Sequence, residues 1–188
     1  MEKKYNILLD RPPLYAEVNG NSYKVNTDYR IVLAYLRLMK KDMDDAEKTA
    51  YAISLFFGDE IRMNDLKDLL EWIPWFLSKG EAQEDEKEEK LFDLIEDSNR
   101  IYAAFWQTYG INLKKIKMHW WTFSILLEGL PSGTHLSDVI NIRARKFEKW
   151  MKPAAKNELQ RLKDKYRLGE KRDIMSGLFS ALRGICKK

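Results

Sequence analysis

Reactive side chains are scarce in this chain: its 188 residues include one cysteine, Cys186, and two histidines, His119 and His135. A lone thiol excludes an intrachain disulfide, and so few Cys and His residues cannot supply the four ligands of a structural zinc site. The nine glycines form neither a P-loop nor a dinucleotide-binding fingerprint. Apolar runs such as Ile31–Leu36 and Ile125–Leu127 fall far short of the roughly 18–20 residues a membrane span needs. The segment Met1-Glu2-Lys3-Lys4-Tyr5 lacks a signal-peptide hydrophobic region. A cytosolic product with no membrane partner, no cofactor and no metal is expected.

What the chain does have is apolar and aromatic mass. Hydrophobic residues make up 45% and aromatics 12%, with six tryptophans, enough to build a core despite 33% charged residues. The net charge of +4 is unevenly spread. From Arg143 to Lys188 there are 15 Lys and Arg against 5 Asp and Glu, a net +10, while the rest carries 18 against 24, a net −6. Such a basic end fits an arm for nucleic acid or acidic proteins, or the solvated faces of amphipathic helices. The second reading is preferred.

Leu14 to Val25 reads as a β-hairpin, with strand formers Tyr15, Val18, Tyr23 and Val25 around Asn19-Gly20. Both turn residues tolerate the positive φ of a tight hairpin. Arg11-Pro12-Pro13 stiffens the approach, and a hairpin this small must lie on helices or on another chain. Thr27 is the expected N-cap of a mostly buried helix over Asp28–Lys40. A second helix, Asp45–Phe57, aligns Ala46, Ala50, Ile53 and Phe57 and stops at Gly58. A third starts near Asn64 with Leu66, Leu69, Leu70 and Ile73 aligned, and Pro74 should kink or end it.

Glu81–Lys90 has six carboxylates, two lysines and no apolar rhythm, and reads as a solvated acidic segment. Helical spacing resumes over Leu91–Tyr109 (Phe92, Ile95, Tyr102, Phe105, Tyr109) before Gly110, and over Leu113–Leu130 (Ile116, Trp120, Phe123, Leu127, Leu130). Thr134 caps a short helix through Ile140, and Pro153 opens another with Ala155, Leu159, Leu162 and Tyr166 in line. Asp173 caps the last helix, whose stripe is Ile174, Leu178, Leu182 and Ile185. The expected fold is mainly α: about eight helices packed as an irregular helical domain with a small N-terminal β-hairpin. Residues 1–150 form the helical domain, and 151–188 a basic amphipathic helical extension.

A nucleophile, a base and an orienting group are hard to assemble from these parts. His119, between Met118 and Trp120, reads as a packed ring that finds a hydrogen-bond partner, and His135 as exposed. Paired carboxylates are always conceivable among 29 acids but have no positive support. Tyr102, Phe105, Trp106, Trp120, Trp121 and Phe123 fit a base-stacking platform less well than helix packing. No catalytic residue is expected.

Several pieces, taken in order, carry a resemblance: the hairpin around Asn19-Gly20, Thr27-Asp28-Tyr29-Arg30, Ile101-Tyr102-Ala103-Ala104-Phe105 and Tyr109-Gly110-Ile111. The most distinctive is His119-Trp120-Trp121-Thr122-Phe123, followed by Leu126-Leu127-Glu128-Gly129-Leu130-Pro131 and Ile142-Arg143. Over roughly the first 145 positions the chain resembles the bacteriophage gene-product-fifteen family, encoded in the tail module near the tape measure gene. The resemblance implies a non-enzymatic tail-assembly protein, a chaperone or scaffold for the tape measure protein, with a companion tail chaperone as a further partner. It would act in the bacterial host cytoplasm. The alternatives are a minor structural component of the tail or baseplate and, less favoured, a nucleic-acid-binding protein using the basic C-terminus. The residues expected to meet a partner are Ile174, Leu178, Leu182 and Ile185.

Overall fold

A computed structural model describes residues 5–81 and 91–169. Among them are two strands, β1 (Tyr15–Val18) and β2 (Asn21–Lys24), and seven helices. The helices are α1 (Tyr29–Met39), α2 (Asp45–Phe57), α3 (Leu66–Leu77), α4 (Ser98–Tyr109), α5 (Trp120–Glu128), α6 (His135–Ala144) and α7 (Pro153–Lys165). The fold is therefore mainly helical with one small hairpin, as the spacing of apolar residues implies. The eighth expected helix, from Asp173, lies outside the described residues, as does all of the acidic run after Glu81.

The described chain forms two compact units. The first comprises residues 5–81 and 117–124; the second comprises 91–116 and 125–169. In the first, β1 and β2 pair antiparallel with Ala16 opposite Tyr23 and Val18 opposite Asn21. Asn19 (φ 50°) and Gly20 (φ 76°) make the turn, both in the positive-φ region that few side chains accept. Alternation puts Ala16, Val18 and Tyr23 inward, with β1 against α3, and leaves Tyr15 on the outer face. Tyr15 is thus a strand former that builds no core.

α1 is capped by Asp28, not Thr27: the Asp28 carboxylate accepts from the Arg30 amide. Thr27 is withheld because its carbonyl accepts the Trp120 amide in a bridge between Asp28 and His119. α1 buries Tyr29, Val32, Tyr35 and Leu38, and within it only Arg30 and Arg37 are exposed. α2 runs over the expected residues, but its buried stripe is Ala52, Ile53 and Phe56; Ala46 and Ala50 face solvent. α3 continues through Pro74 to Leu77. The roughly 3 kcal/mol penalty of an interior proline is offset by burial of Ile73 and Phe76 on either side of it.

The same bridge overturns the expected Leu113–Leu130 helix. Residues 118 and 119 are extended, the Met118 carbonyl accepting from the Tyr29 amide at 2.9 Å, so α5 starts only at Trp120. In the second unit α4 starts at Ser98 rather than Leu91, because Asp93 folds the preceding residues into a turn by accepting the Ile95 and Glu96 amides. Gly110, at φ 66°, ends α4 in the left-handed region. Thr134 and Ser137 form a reciprocal capping box at the start of α6, which runs on to Ala144. α7 opens with Pro153 and buries Leu159; Ala155 stays exposed.

Candidate functional site

The His119-Trp120-Trp121 segment organises the first unit. His119 stands at the N-cap of α5, where its Nδ1 accepts the Trp121 amide at 3.1 Å and its Nε2 lies 3.1 Å from the Pro13 carbonyl. An accepting Nδ1 requires the proton on Nε2, so one neutral tautomer satisfies both contacts. Burial holds the ring's pKa below the ordinary imidazole value, against partial support from the Pro13 carbonyl. Both nitrogens are thus committed to backbone partners, and neither is free to act as a base. The sequence expectation of a packed, hydrogen-bonded His119 holds, although the residue precedes its helix rather than lying inside it.

The two indoles satisfy the exposed end of α3. Trp120 Nε1 donates to the Leu77 carbonyl at 3.1 Å, and Trp121 Nε1 donates to the Phe76 carbonyl at 2.8 Å. The last carbonyls of a helix have no partners within it; here the indoles add to a left-handed backbone cap in which Lys79 (φ 61°) and Gly80 (φ 75°) donate to the Phe76 and Trp75 carbonyls. Trp121 is 2% exposed and meets Tyr5, Trp75, Phe76 and His119 ring to ring; Trp120 stacks on Phe123, which stacks on Tyr29 at 4.5 Å. Trp120 and Phe123 are core residues, as their spacing suggests.

A buried carboxylate docks the hairpin on α3. Asp65 accepts from Tyr23 Oη at 2.6 Å, Asn21 Nδ2 at 2.7 Å and Asn19 Nδ2 at 2.9 Å. The Tyr23 hydroxyl first, then the two amides and the nearby Arg62 charge, hold its pKa below the usual carboxylate range against desolvation. In the second unit Asp97 plays the corresponding part. Its buried carboxylate takes both terminal nitrogens of Arg143, at 2.7 and 2.9 Å, and Arg100 Nη1 at 2.8 Å. Desolvation pushes its pKa up, but the Arg143 bonds, the Asp93 amide and the two guanidinium charges outweigh it, and the net shift is downward. Arg143 also donates to the carbonyls of Tyr166 and Leu91, tying α6 to the end of α7 and to the chain before α4. Both carboxylates serve structure, not proton transfer.

Residues 8–168 match the family model of the Bacteriophage Gp15 protein. The chain belongs to that family. No curated protein and no solved structure matches it. The Bacteriophage Gp15 match extends past the first 145 positions to include α7, and it includes the indole clamp, the Asp65 anchor and the Asp97–Arg143 pair. The expected contact residues Ile174, Leu178, Leu182 and Ile185 lie beyond the match and outside the described residues.

Among the described residues of this Bacteriophage Gp15 family chain, no cluster of three His, Cys, Asp or Glu side chains could hold a metal ion. No described helix is long and apolar enough to cross a membrane. His135 is exposed, its ring edge-on to Tyr166 at 6.0 Å; Cys186 lies outside the described residues. Of the six aromatics weighed as a stacking platform, Phe105, Trp120, Trp121 and Phe123 are buried. Trp106 is 52% exposed and stacks on Tyr102, whose ring carries Lys114 at 5.8 Å.

The side chains best placed to meet a partner are apolar ones that face water. Leu8 and Leu9, 89% and 83% exposed, sit on a turn that the Asn6 carbonyl closes. Trp150 is 77% exposed in the connection from α6 to α7. Sequence reasoning singled out none of these three for binding. The available signal was position: each is a large apolar residue shortly before a proline, Pro12 or Pro153, outside any helical stripe.

Proposed function

We propose that this chain is a non-enzymatic tail-assembly protein of a bacteriophage or prophage, acting as a chaperone or scaffold that binds the tape measure protein in the bacterial host cytoplasm. The observation that carries this reading is the family match over residues 8–168. The chemistry supports it in kind: both nitrogens of His119 are engaged by the backbone, the buried carboxylates are held by partners, and large apolar side chains stand in water. Large exposed apolar residues mark interaction surfaces rather than catalytic ones. A long helical client with exposed apolar stripes is the kind of partner that helical proteins cover by side-chain insertion.

Co-expression with the tape measure protein of the same tail module tests the binding. The tape measure protein should co-purify with the tagged chain and stay soluble with it. Purified particles then separate chaperone from component. A chaperone is absent from them; presence at fixed copy number makes the chain a minor structural protein of tail or baseplate. Deleting 173–188 tests the terminal stripe: lost co-purification with cooperative unfolding retained assigns contact to it, and unchanged co-purification removes Ile174, Leu178, Leu182 and Ile185 from the interface.

A further inference from the structure

We propose that the connection between α6 and α7, residues 145–152, is a preformed docking element for an acidic amphipathic helix, with Trp150 as its anchor. The proposal rests on the protein-binding reading above and names the surface and the chemistry of the partner.

Three observations converge here. First, the indole is held out by design of the backbone: the Met151 amide donates to the Glu148 carbonyl at 3.1 Å, and the Met151 side chain is buried beneath at 7% exposure. Lys152 then caps α7 with Pro153 at its first position, which fixes φ and stiffens the exit. Trp150 therefore projects from a turn anchored on both sides, so little side-chain and loop entropy is lost on binding. Second, it stands among cations. Arg145, Lys146, Lys149 and Lys152 are all exposed, Glu148 is the only acid in the segment, and no described carboxylate pairs with any of the four. Third, the same segment holds a second exposed aromatic, Phe147, 47% exposed, which carries Lys163 of α7 at 5.9 Å from its ring centre.

The chemistry of the occupant follows. A segment that presents an exposed tryptophan and, within five residues of it in sequence, four exposed cations asks for carboxylates flanking an apolar stripe. Among the described residues the second unit has no strand, so an extended peptide finds no edge to pair with, and a helix is the remaining way to present both features. A nucleic-acid strand is the weaker occupant. Stacking of successive bases needs consecutive free ring faces, and here Lys163 already covers Phe147 while Glu148 sits between the two rings in sequence.

The test uses the full chain and a labelled synthetic helix about 20 residues long, with leucines on one stripe and glutamates elsewhere. Fluorescence anisotropy should show saturable binding that weakens with salt. Trp150→Ala should weaken it about tenfold or more, as loss of an anchoring tryptophan does. Lys146→Glu with Lys149→Glu should weaken it and flatten the salt dependence. Both variants should give the parental circular dichroism, since every altered side chain is exposed. The proposal is overturned by failure of the acidic helix to bind, by equal binding of a helix with lysines in place of the glutamates, or by a Trp150→Ala variant that binds like the parent. It is also overturned if single-stranded oligothymidine binds and Trp150→Ala abolishes that binding, which would make the surface a nucleic-acid site. Co-purification separates this proposal from the reading beneath it. If parent and Trp150→Ala both retain the tape measure protein, the surface assignment falls and the assembly role stands. If the parent does not retain it, the assembly role falls, and the peptide experiment still decides the surface.

Discussion

Replacing Trp121 removes a buried side chain that meets the rings of Tyr5, Trp75, Phe76 and His119. A buried tryptophan hides on the order of 200 Å² of surface, and at about 25 cal/mol per Å² this corresponds to roughly 5 kcal/mol. Alanine keeps part of that burial and its surroundings relax around it, so Trp121→Ala should cost about 3–5 kcal/mol, as core Trp-to-Ala changes do, a large share of a typical 5–15 kcal/mol stability. Trp121→Phe separates packing from hydrogen bonding. It keeps an aromatic body but leaves the Phe76 carbonyl with backbone amides alone, those of Ser78 and, at 3.3 Å, Lys79. A weakened buried acceptor costs about 1–3 kcal/mol, so the phenylalanine variant should fall between parent and alanine. Urea titrations followed by near- and far-UV circular dichroism give the midpoints, and the two probes reveal whether the two compact units unfold together. The control is Trp150→Ala, the same chemical change at 77% exposure, which should shift stability by no more than about 0.5 kcal/mol. Equal midpoints for Trp121→Ala and Trp150→Ala would refute the assignment of the His-Trp-Trp segment to the core.

Three other outcomes are expected. Tyr35 is fully buried, its hydroxyl finds no partner among the described residues, and burial pushes its pKa up; Tyr35→Phe should therefore leave stability unchanged or raise it by up to about 1 kcal/mol, and a comparable loss in thermal unfolding would reveal a partner. His119 has a folded pKa below its unfolded value of about 6.5, so the unfolded chain takes up the proton first. Its stability contribution is complete above about pH 6.5 and declines as the pH falls toward the folded value, with no further change below that; His119→Gln should remove this slope from a melting-temperature series, and an unaltered slope would disprove the assignment. Asp97→Ala leaves the Arg143 guanidinium, 9% exposed, without its carboxylate and should cost about 3–5 kcal/mol; a chemical denaturation midpoint within error of the parent would show the pair to be dispensable.

The sequence was most legible where local signals agree. Asp45–Phe57 is bounded by Asp44, whose carboxylate takes the Ala46 amide, and by Gly58 at φ 77°, and both ends can be read from residue type alone. The hairpin turn at Asn19-Gly20 is legible for the same reason. The failures lie where a distant partner decides. Asn112 folds residues 113–115 into a turn by accepting the Lys114 and Lys115 amides, and the bridge to Asp28 takes the backbone of residues 118–120; it also moves the α1 cap from Thr27 to Asp28. Asp65 and Asp97 look like any of the 29 acids until the fold brings Asn19, Asn21 and Tyr23 to one and Arg143 to the other. Exposure is hidden in the same way: periodicity assigns faces within helices, while Leu8, Leu9 and Trp150 lie in connections where no periodicity exists.

The residues that make this chain recognisable are not those proposed above as its contact surface. The His-Trp-Trp segment spends its imidazole on capping α5 and its indoles on the last carbonyls of α3, so a variant there tests the fold and not a contact. The family likeness is thus a likeness of architecture, and contact must be sought among side chains whose removal leaves that architecture intact. Trp150 meets that condition: it is 77% exposed, on a turn secured by Met151 and Pro153, and its loss removes little from the core. Leu8 and Leu9 meet it as well, but Trp150 lies in a segment with four exposed cations, Arg145, Lys146, Lys149 and Lys152, and the acidic partner proposed above follows from that charge.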